Sequence, residues 1–569
     1  MHSRFLPVLA LVALLIVAPS AYGQQADTTE LPEIAPREIE IRGERQIALP
    51  SLERQPLSGF ASPPQVPAVP TDRQPYVSSY TYSLDDLPES LPLPETVSSP
   101  MQPAGEPALG FLEGGTGRYF SRFFEGRVGY SLSPSERVSV HGKYTGTEAD
   151  PDDDVAEGRV QIVSNQKSVQ IRAGAHGSVQ RYALFGATPL TTSSSETPNR
   201  QGNSAGVSLG LQSTSTIPAS ASIHYDHAQY TSALDANADE FAFSQQQFEV
   251  EGSTTVPVRF RPHVNATYRQ SWIGGDPQDD TAFDLDVTGT LSVFQSDSTS
   301  LELGPSVLAF STPADPSVPA LGTVDDAYFL PYVDAEWGFA DGAILHVRNQ
   351  PRLGDTSLEH LYATNPYAWH APSLRPTLET TNAEAGLTLT RGPVRIVAAA
   401  GYRYAPTYRF YNLASQPQGD YSSLYQVRYE SARIIQGRGQ IALQGIDGVQ
   451  ASLGLSVRDG SLTSVDSLDS DIPNFAPVTA DAMVAVAFAG GDGFAKATGR
   501  FASPRDVSMD PQARRLGSYF SIDLEGSYAL GSDMEIVTRL QNLSVEAPTL
   551  WAGYPRPPAQ LSLGLRLKW

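Results

Sequence analysis

The sequence predicts an all-β chain: a closed antiparallel transmembrane β-barrel of about 22 strands, or 20 should two weak segments not form, behind an N-terminal proline-rich extended arm. Three observations predict it. Apolar and polar residues alternate strictly from about Leu109 to Trp569, the period-two signal of strands with two unlike faces. Short turn signals alternate with longer polar connections along that stretch. After the N-terminal segment, no run reaches the roughly 18 consecutive apolar residues of a spanning helix, so any membrane crossing has to be made by strands.

The elements follow in order. Met1–Gly23 has a basic start at Arg4, an apolar run from Phe5 to Val17 and small residues at Ala21 and Gly23; it predicts a cleaved secretory signal peptide and export to the outer membrane. Residues 24–108 hold 15 prolines, which remove ladder donors and break helices, so this periplasmic arm is expected to be extended. The barrel is placed at residues 109–569. Its last strand sets Leu561, Leu563, Leu565, Leu567 and Trp569 against Ser562, Gly564, Arg566 and Lys568, and the same alternation runs through 283–293, 333–339, 449–458 and 520–528. Ten tight turns are expected at 133–136, 164–167, 214–218, 253–256, 295–298, 340–342, 391–393, 446–448, 490–493 and 531–533. Longer connections are expected at 148–157, 189–203, 273–281, 312–324, 349–374, 414–423, 459–474 and 503–516. Short joints at one end and long ones at the other are the asymmetry of an outer-membrane barrel, and at roughly 10 residues per strand, 22 strands take about 220 residues. Trp569 is expected to close the last strand at the membrane interface.

Composition removes other classes. With no cysteine and a net charge of -23, disulfide scaffolds, thiolate metal sites and catalytic thiols are excluded, and no basic face advertises nucleic-acid binding. The charged fraction, 18%, lies below that of an ordinary soluble domain. No catalytic residue, cofactor or metal site is assigned. Gly206-Val-Ser-Leu-Gly210 matches a nucleophile-elbow pattern but falls mid-strand, where the required strand-to-helix turn is missing. His224 and His227 are three apart, hence on opposite strand faces. The acidic stretches 150–154, 276–280 and 466–471 lack a complete calcium-loop spacing and read as solvated loops. The longest loop carries His360, Tyr362, Tyr367, Trp369 and His370, and Tyr408, Phe410 and Tyr411 lie on a second segment. Two readings stand for Tyr362, Tyr367, Trp369 and Tyr408: contacts to a flat ligand, or filling of the loop core and aromatic girdle.

The C-terminal residues carry a resemblance. Tyr519-Phe-Ser-Ile-Asp-Leu-Glu-Gly-Ser-Tyr-Ala-Leu530, then Gln541-Asn-Leu543, Trp551-Ala-Gly-Tyr-Pro555 and the closing strand resemble a TonB-dependent receptor-type outer-membrane β-barrel. Asn365-Pro-Tyr367, Leu374-Arg-Pro376 and Asn382–Leu387 look like that family's mid-barrel strand. Pro558-Ala-Gln560 departs from the Gly-Arg usual there. The resemblance covers about residues 109–569. It implies a transporter for a bulky solute, partnered by outer-membrane lipid and, through the C-terminal strand, by the barrel-assembly machinery. Glu38, Ile39, Glu40, Ile41, Arg42 and Gly43 resemble a TonB box, the peptide that an energy-coupling partner captures by strand addition; the other reading is plain extended linker. Only about 65 residues separate Gly43 from the barrel, too few for the family's plug domain. A second functional reading is therefore a plugless structural or assembly barrel whose arm, residues 24–108, docks a periplasmic partner or occludes the lumen.

Overall fold

The computed structural model describes residues 110–569 except 149–152, 185–197, 214, 216, 234–240, 276–279, 297, 313–323, 370–373, 414–423, 464–469, 511–514, 544–548 and 556–558. The signal segment, the arm with Glu38–Gly43, the question of a plug and most of the acidic stretches lie outside the described residues.

Twenty-two strands form the wall. They are β1 (Gly110–Gly117), β2 (Arg122–Ser133), β3 (Glu136–Thr147), β4 (Asp153–Asn165), β5 (Val169–Ala183), β6 (Asn199–Ser213), β7 (Ala219–Ala233) and β8 (Phe241–Thr255). Next come β9 (His263–Gly275), β10 (Asp280–Gln295), β11 (Thr299–Thr312), β12 (Val324–Ala340), β13 (Ala343–Asn349), β14 (Thr381–Arg391) and β15 (Val394–Leu413). The last seven are β16 (Tyr425–Ile446), β17 (Val449–Thr463), β18 (Val478–Phe488), β19 (Gly493–Ala502), β20 (Tyr519–Ala529), β21 (Met534–Gln541) and β22 (Gln560–Lys568). Each pairs antiparallel with the next, and β22 returns to β1 in the register Glu113↔Arg566 and Gly115↔Gly564. Closure removes the edge, so every wall strand has two neighbours to take its backbone groups.

The alternation becomes two surfaces. Leu453, Leu455, Val457, Phe520, Leu524, Leu561, Leu563, Leu565 and Leu567 are exposed on the outside, while Arg458, Asp523 and Arg566 of the same strands point inward to partners on neighbouring strands or loops. In water such an apolar sleeve would be unstable; against hydrocarbon it costs nothing, and the polar row keeps its hydrogen bonds inside.

Tight turns join the strands at one end. Asp341-Gly342 and Asp447-Gly448 are two-residue joints in which the glycine takes φ of 70° and 72°, and a bulge in the preceding strand accommodates each. One expected turn moves: Ser253–Thr255 stay in β8, and the joint to β9 is the seven-residue stretch 256–262. There Thr255 still donates to Pro218, and it is Pro257 and Pro262, which cannot donate, that bracket the departure from the ladder. Two long connections are shorter than their polar sequence suggests, since β4 begins at Asp153 and β17 runs to Thr463, and a third is displaced, since β5 ends at Ala183 and β6 begins at Asn199. A polar run on the lumen side of a tall strand reads like a loop.

The closure seam is held by charge as well as by ladder bonds. Glu113 is fully buried and accepts from Arg566 Nε at 2.8 Å and from Arg539; Arg566 also reaches Glu535 at 3.2 Å. Phe123 lies over the paired glycines, and a Cβ at Gly115 or Gly564 would come within 2.6 Å of its Cζ. Trp569 exchanges both backbone bonds with Gly110, at 3.1 and 3.2 Å, with its ring half exposed.

Candidate functional site

At the end away from the tight turns, the connection between β13 and β14 folds into a cap across the mouth. Arg352–Leu353 pairs with Leu378–Glu379 to make its stem. Beyond it the chain forms a short helix, α1 (Leu358–Thr364), whose N-cap Ser357 accepts from the amide of His360. The helix start docks on the wall: Gln245 of β8 accepts from the Leu358 amide at 2.6 Å and donates to Thr356 O at 3.2 Å.

Past α1 the chain makes a turn at Pro366-Tyr367, closed by Ala368 N donating to Asn365 O at 3.1 Å, and one arginine holds it. Arg200 of β6, only 2% exposed, donates Nη1 to Pro366 O at 2.6 Å, Nη2 to Ala368 O at 2.9 Å and Nε to Ser232 Oγ at 2.8 Å. Its guanidinium lies 4.4 Å from the Tyr362 ring centre, which rests 4.4 Å from the ring of Tyr230 on β7. Tyr182 of β5 adds a bond to Pro366 O at 3.1 Å. On the far side, Trp369 N donates to Tyr425 O at 2.6 Å and Tyr425 N to Tyr367 O at 3.1 Å. The cap therefore touches β5, β6 and β7 through Tyr182, Arg200 and Tyr230 and touches β16 through Tyr425, strands nine to eleven places apart in the ring of 22.

Two further loops complete it. Tyr554 stacks on Tyr367 with ring centres 3.5 Å apart. Trp551 meets Tyr425 edge-on at 4.9 Å, and Ala552 N donates to the Tyr425 hydroxyl at 2.6 Å. Arg505, from the loop between β19 and β20, donates to Leu550 O at 2.6 Å. Leu358, Leu361, Tyr362, Leu374, Val507, Leu516, Trp551 and Tyr554 thus share one buried cluster with Tyr230, Phe243 and Ile273 of the wall. Burial raises the Tyr362 and Tyr554 phenols above their usual range, so both stay neutral at physiological pH. Burial pulls the Arg505 guanidinium the other way, opposed only weakly by Tyr519 and Tyr425.

The four aromatic residues singled out from the sequence are therefore brought to one end of the barrel. Tyr362 and Tyr408 are each 2% exposed, Tyr362 in the cap and Tyr408 in a second cluster with Phe410, Ile434 and Phe475. Tyr367 and Trp369 remain half-buried, packed against Leu184 and Leu424. Gly206–Gly210 lies inside β6, with no turn into a helix. The residues that sequence reasoning missed are Arg200 and Gln245, whose partners lie more than a hundred residues away. The available signal was the inward parity of both in their strands; their partners left no local mark.

Beneath the cap the lumen wall carries ion pairs. Glu384 joins Arg438 at 2.7 Å and His346 at 3.1 Å, Arg269 bridges Glu249 at 2.5 Å and Asp284 at 3.2 Å, and His176 meets Asp226 at 3.2 Å. At the stem, burial alone would raise the Glu379 carboxyl, but Arg352 and Arg403 override it and hold it below the usual carboxylate range.

No family model matches the sequence, and no curated protein matches it. Solved structures do. The copper transporter OprC is 14% identical with a TM-score of 0.59, over 81% of this chain and 80% of that one. The FrpB iron transporter from Neisseria meningitidis (F5-1 variant) is 12% identical with a TM-score of 0.63, over 81% and 82%. The ferric-catecholate import receptor Fiu from K12 E. coli is 10% identical with a TM-score of 0.59, over 81% and 82%. At these identities the likeness establishes the barrel fold.

Proposed function

We propose that the protein is an outer-membrane receptor and transporter of the TonB-dependent kind that its C-terminal strands resemble, admitting a bulky solute through its lumen. The observation that carries this reading is the closed 22-stranded barrel, whose fold is shared with a copper transporter, an iron transporter and a ferric-catecholate import receptor. The cap supports it further: a lumen of this strand number left open would leak, and one spanned by a docked loop passes solute only after an opening step. In this reading Tyr367 and Trp369 meet the solute at the half-buried face of the cap, Tyr362 becomes available once it lifts, and Tyr408 packs beside it in its own cluster with Phe410, Ile434 and Phe475. Glu38–Gly43 offers the strand that the energising partner captures. The apolar sleeve meets outer-membrane lipid, and the C-terminal strand ending at Trp569 presents itself to the barrel-assembly machinery. Deleting residues 36–45 and measuring uptake and growth on candidate solutes tests the proposal. Uptake should fall to background with barrel abundance unchanged; unaltered uptake of every solute refutes the energised mechanism.

A further inference from the structure

On the lumen wall below the cap, β7 and β8 place His224 directly across from Glu249, with Glu251 two residues further along the same face of β8. One ring nitrogen of His224 and one oxygen of each carboxylate lie within 4.8 Å of one another. Ligands each about 2.0–2.2 Å from one ion stand no more than about 4.4 Å apart, which a small side-chain adjustment of this cluster reaches. His224 is the sixth residue of β7 and Glu251 is four from the end of β8, so the group sits in the half of the lumen nearer the tight turns.

The lone pairs needed are free. Glu249 gives Oε2 to Arg269 and Glu251 accepts from Ser222 through Oε2. Among the described residues no hydrogen bond uses Oε1 of either carboxylate or either ring nitrogen of His224. A recess of about 190 Å³ opens beside Glu251, lined also by Arg172, Ser222 and Asn265, which leaves room for coordinated water. Two carboxylates neutralise a divalent charge, and an imidazole with two carboxylates selects a borderline transition-metal ion over magnesium or calcium. Arg269 is already committed to Glu249 and Asp284; it acts as an outer partner that orients the Glu249 ligand.

We propose that His224, Glu249 and Glu251 form a lumenal binding site for one divalent transition-metal ion. The site goes beyond the transporter reading and does not depend on it, since it is measured as metal affinity on the barrel itself. The test uses the full chain purified in detergent without a histidine tag, titrated with Zn²⁺ by calorimetry and with Cu²⁺ by electron paramagnetic resonance. One ion per barrel is expected, with coupling to imidazole nitrogen. H224A should remove that coupling and weaken Zn²⁺ affinity about tenfold or more; E251Q, at an exposed position where folding is not at stake, should weaken it to a similar degree. H176A is the control for the nearby His176–Asp226 pair. Absence of stoichiometric binding, affinity unchanged in H224A and E251Q, or imidazole coupling that survives H224A and disappears in H176A overturns the proposal.

Discussion

Replacing Arg200 by alanine is expected to undock the cap while leaving the barrel standing. The side chain supplies two charged hydrogen bonds to cap carbonyls, at 2.6 and 2.9 Å, and covers the Tyr362 ring at 4.4 Å. Hydrogen bonds to a charged group contribute about 1.5–3 kcal/mol each and a desolvated cation–π contact about 2. Water recovers part of this when the carbonyls are exposed, which leaves a net loss of about 4 kcal/mol, or roughly a thousandfold in the ratio of closed to open cap. Hydrogen exchange in detergent reads that ratio directly. The Trp369 and Leu361 amides, bonded to Tyr425 O and Ser357 O, should exchange about 10² to 10³ times faster in R200A, with the amides of β9 to β12 unchanged. R200K keeps the charge but lacks the fork that reaches both carbonyls, so an intermediate rate is expected. Protection of Trp369 within about threefold of the parent protein, in an R200A barrel that still shifts on the gel after boiling, would refute the latch.

Three further outcomes are expected. E113A leaves Arg539 and Arg566 facing a fully buried gap at the seam; losing one partner of a buried pair costs about 3–5 kcal/mol, read as a lower midpoint for the heat-induced mobility change. Glu379, held below the usual carboxylate range by Arg352 and Arg403, contributes stability that is complete above the unfolded carboxylate value of about 4.3 and lost as pH falls through the depressed folded one. Cap opening, taken from amide exchange corrected for the intrinsic pH dependence of the amide rate, should therefore stay flat from neutral pH down to that value and rise only below it, and E379Q should show the raised opening at every pH; a rise beginning near pH 6 would count against the stem. Removing Trp569 deletes both of its backbone bonds to Gly110, and the truncated chain should refold into vesicles more slowly, followed by the same mobility assay.

The wall was largely legible in the sequence because strand alternation is local and each face has one solvent. Leu561 to Leu567 state which way the last strand faces without reference to any partner. Turns bounded by Asp-Gly were equally plain. Where the chain left the wall, legibility stopped. Ser253-Thr254-Thr255 resembles a turn but continues β8, because Ser253 and Thr255 point into a polar lumen where such residues belong. The cap was read only as a long aromatic loop, since its structure is decided by Arg200 and Gln245, far away in sequence. The His224–Glu249 juxtaposition was hidden for a related reason. The two strands are joined by a seven-residue connection, 234–240, whose sequence sets no register, and only the fold supplies the pairing across it.

The wall is also uneven in height. β15 and β16 have 20 and 22 residues, whereas β1, β21 and β22 at the seam have 8, 8 and 9. With a rise of about 3.3 Å per residue and a tilt of about 40°, the seam rises only about 20 Å along the normal, against about 55 Å for β16. An apolar band of about 25 Å is the norm for such cylinders, so the bilayer has to pinch inward along the seam to match it. Acyl chains there are shortened and strained, which marks one meridian of the cylinder as the place where lipid most easily yields, and six to eight strands round from it a parapet stands clear of the headgroups for anything approaching from outside to meet first.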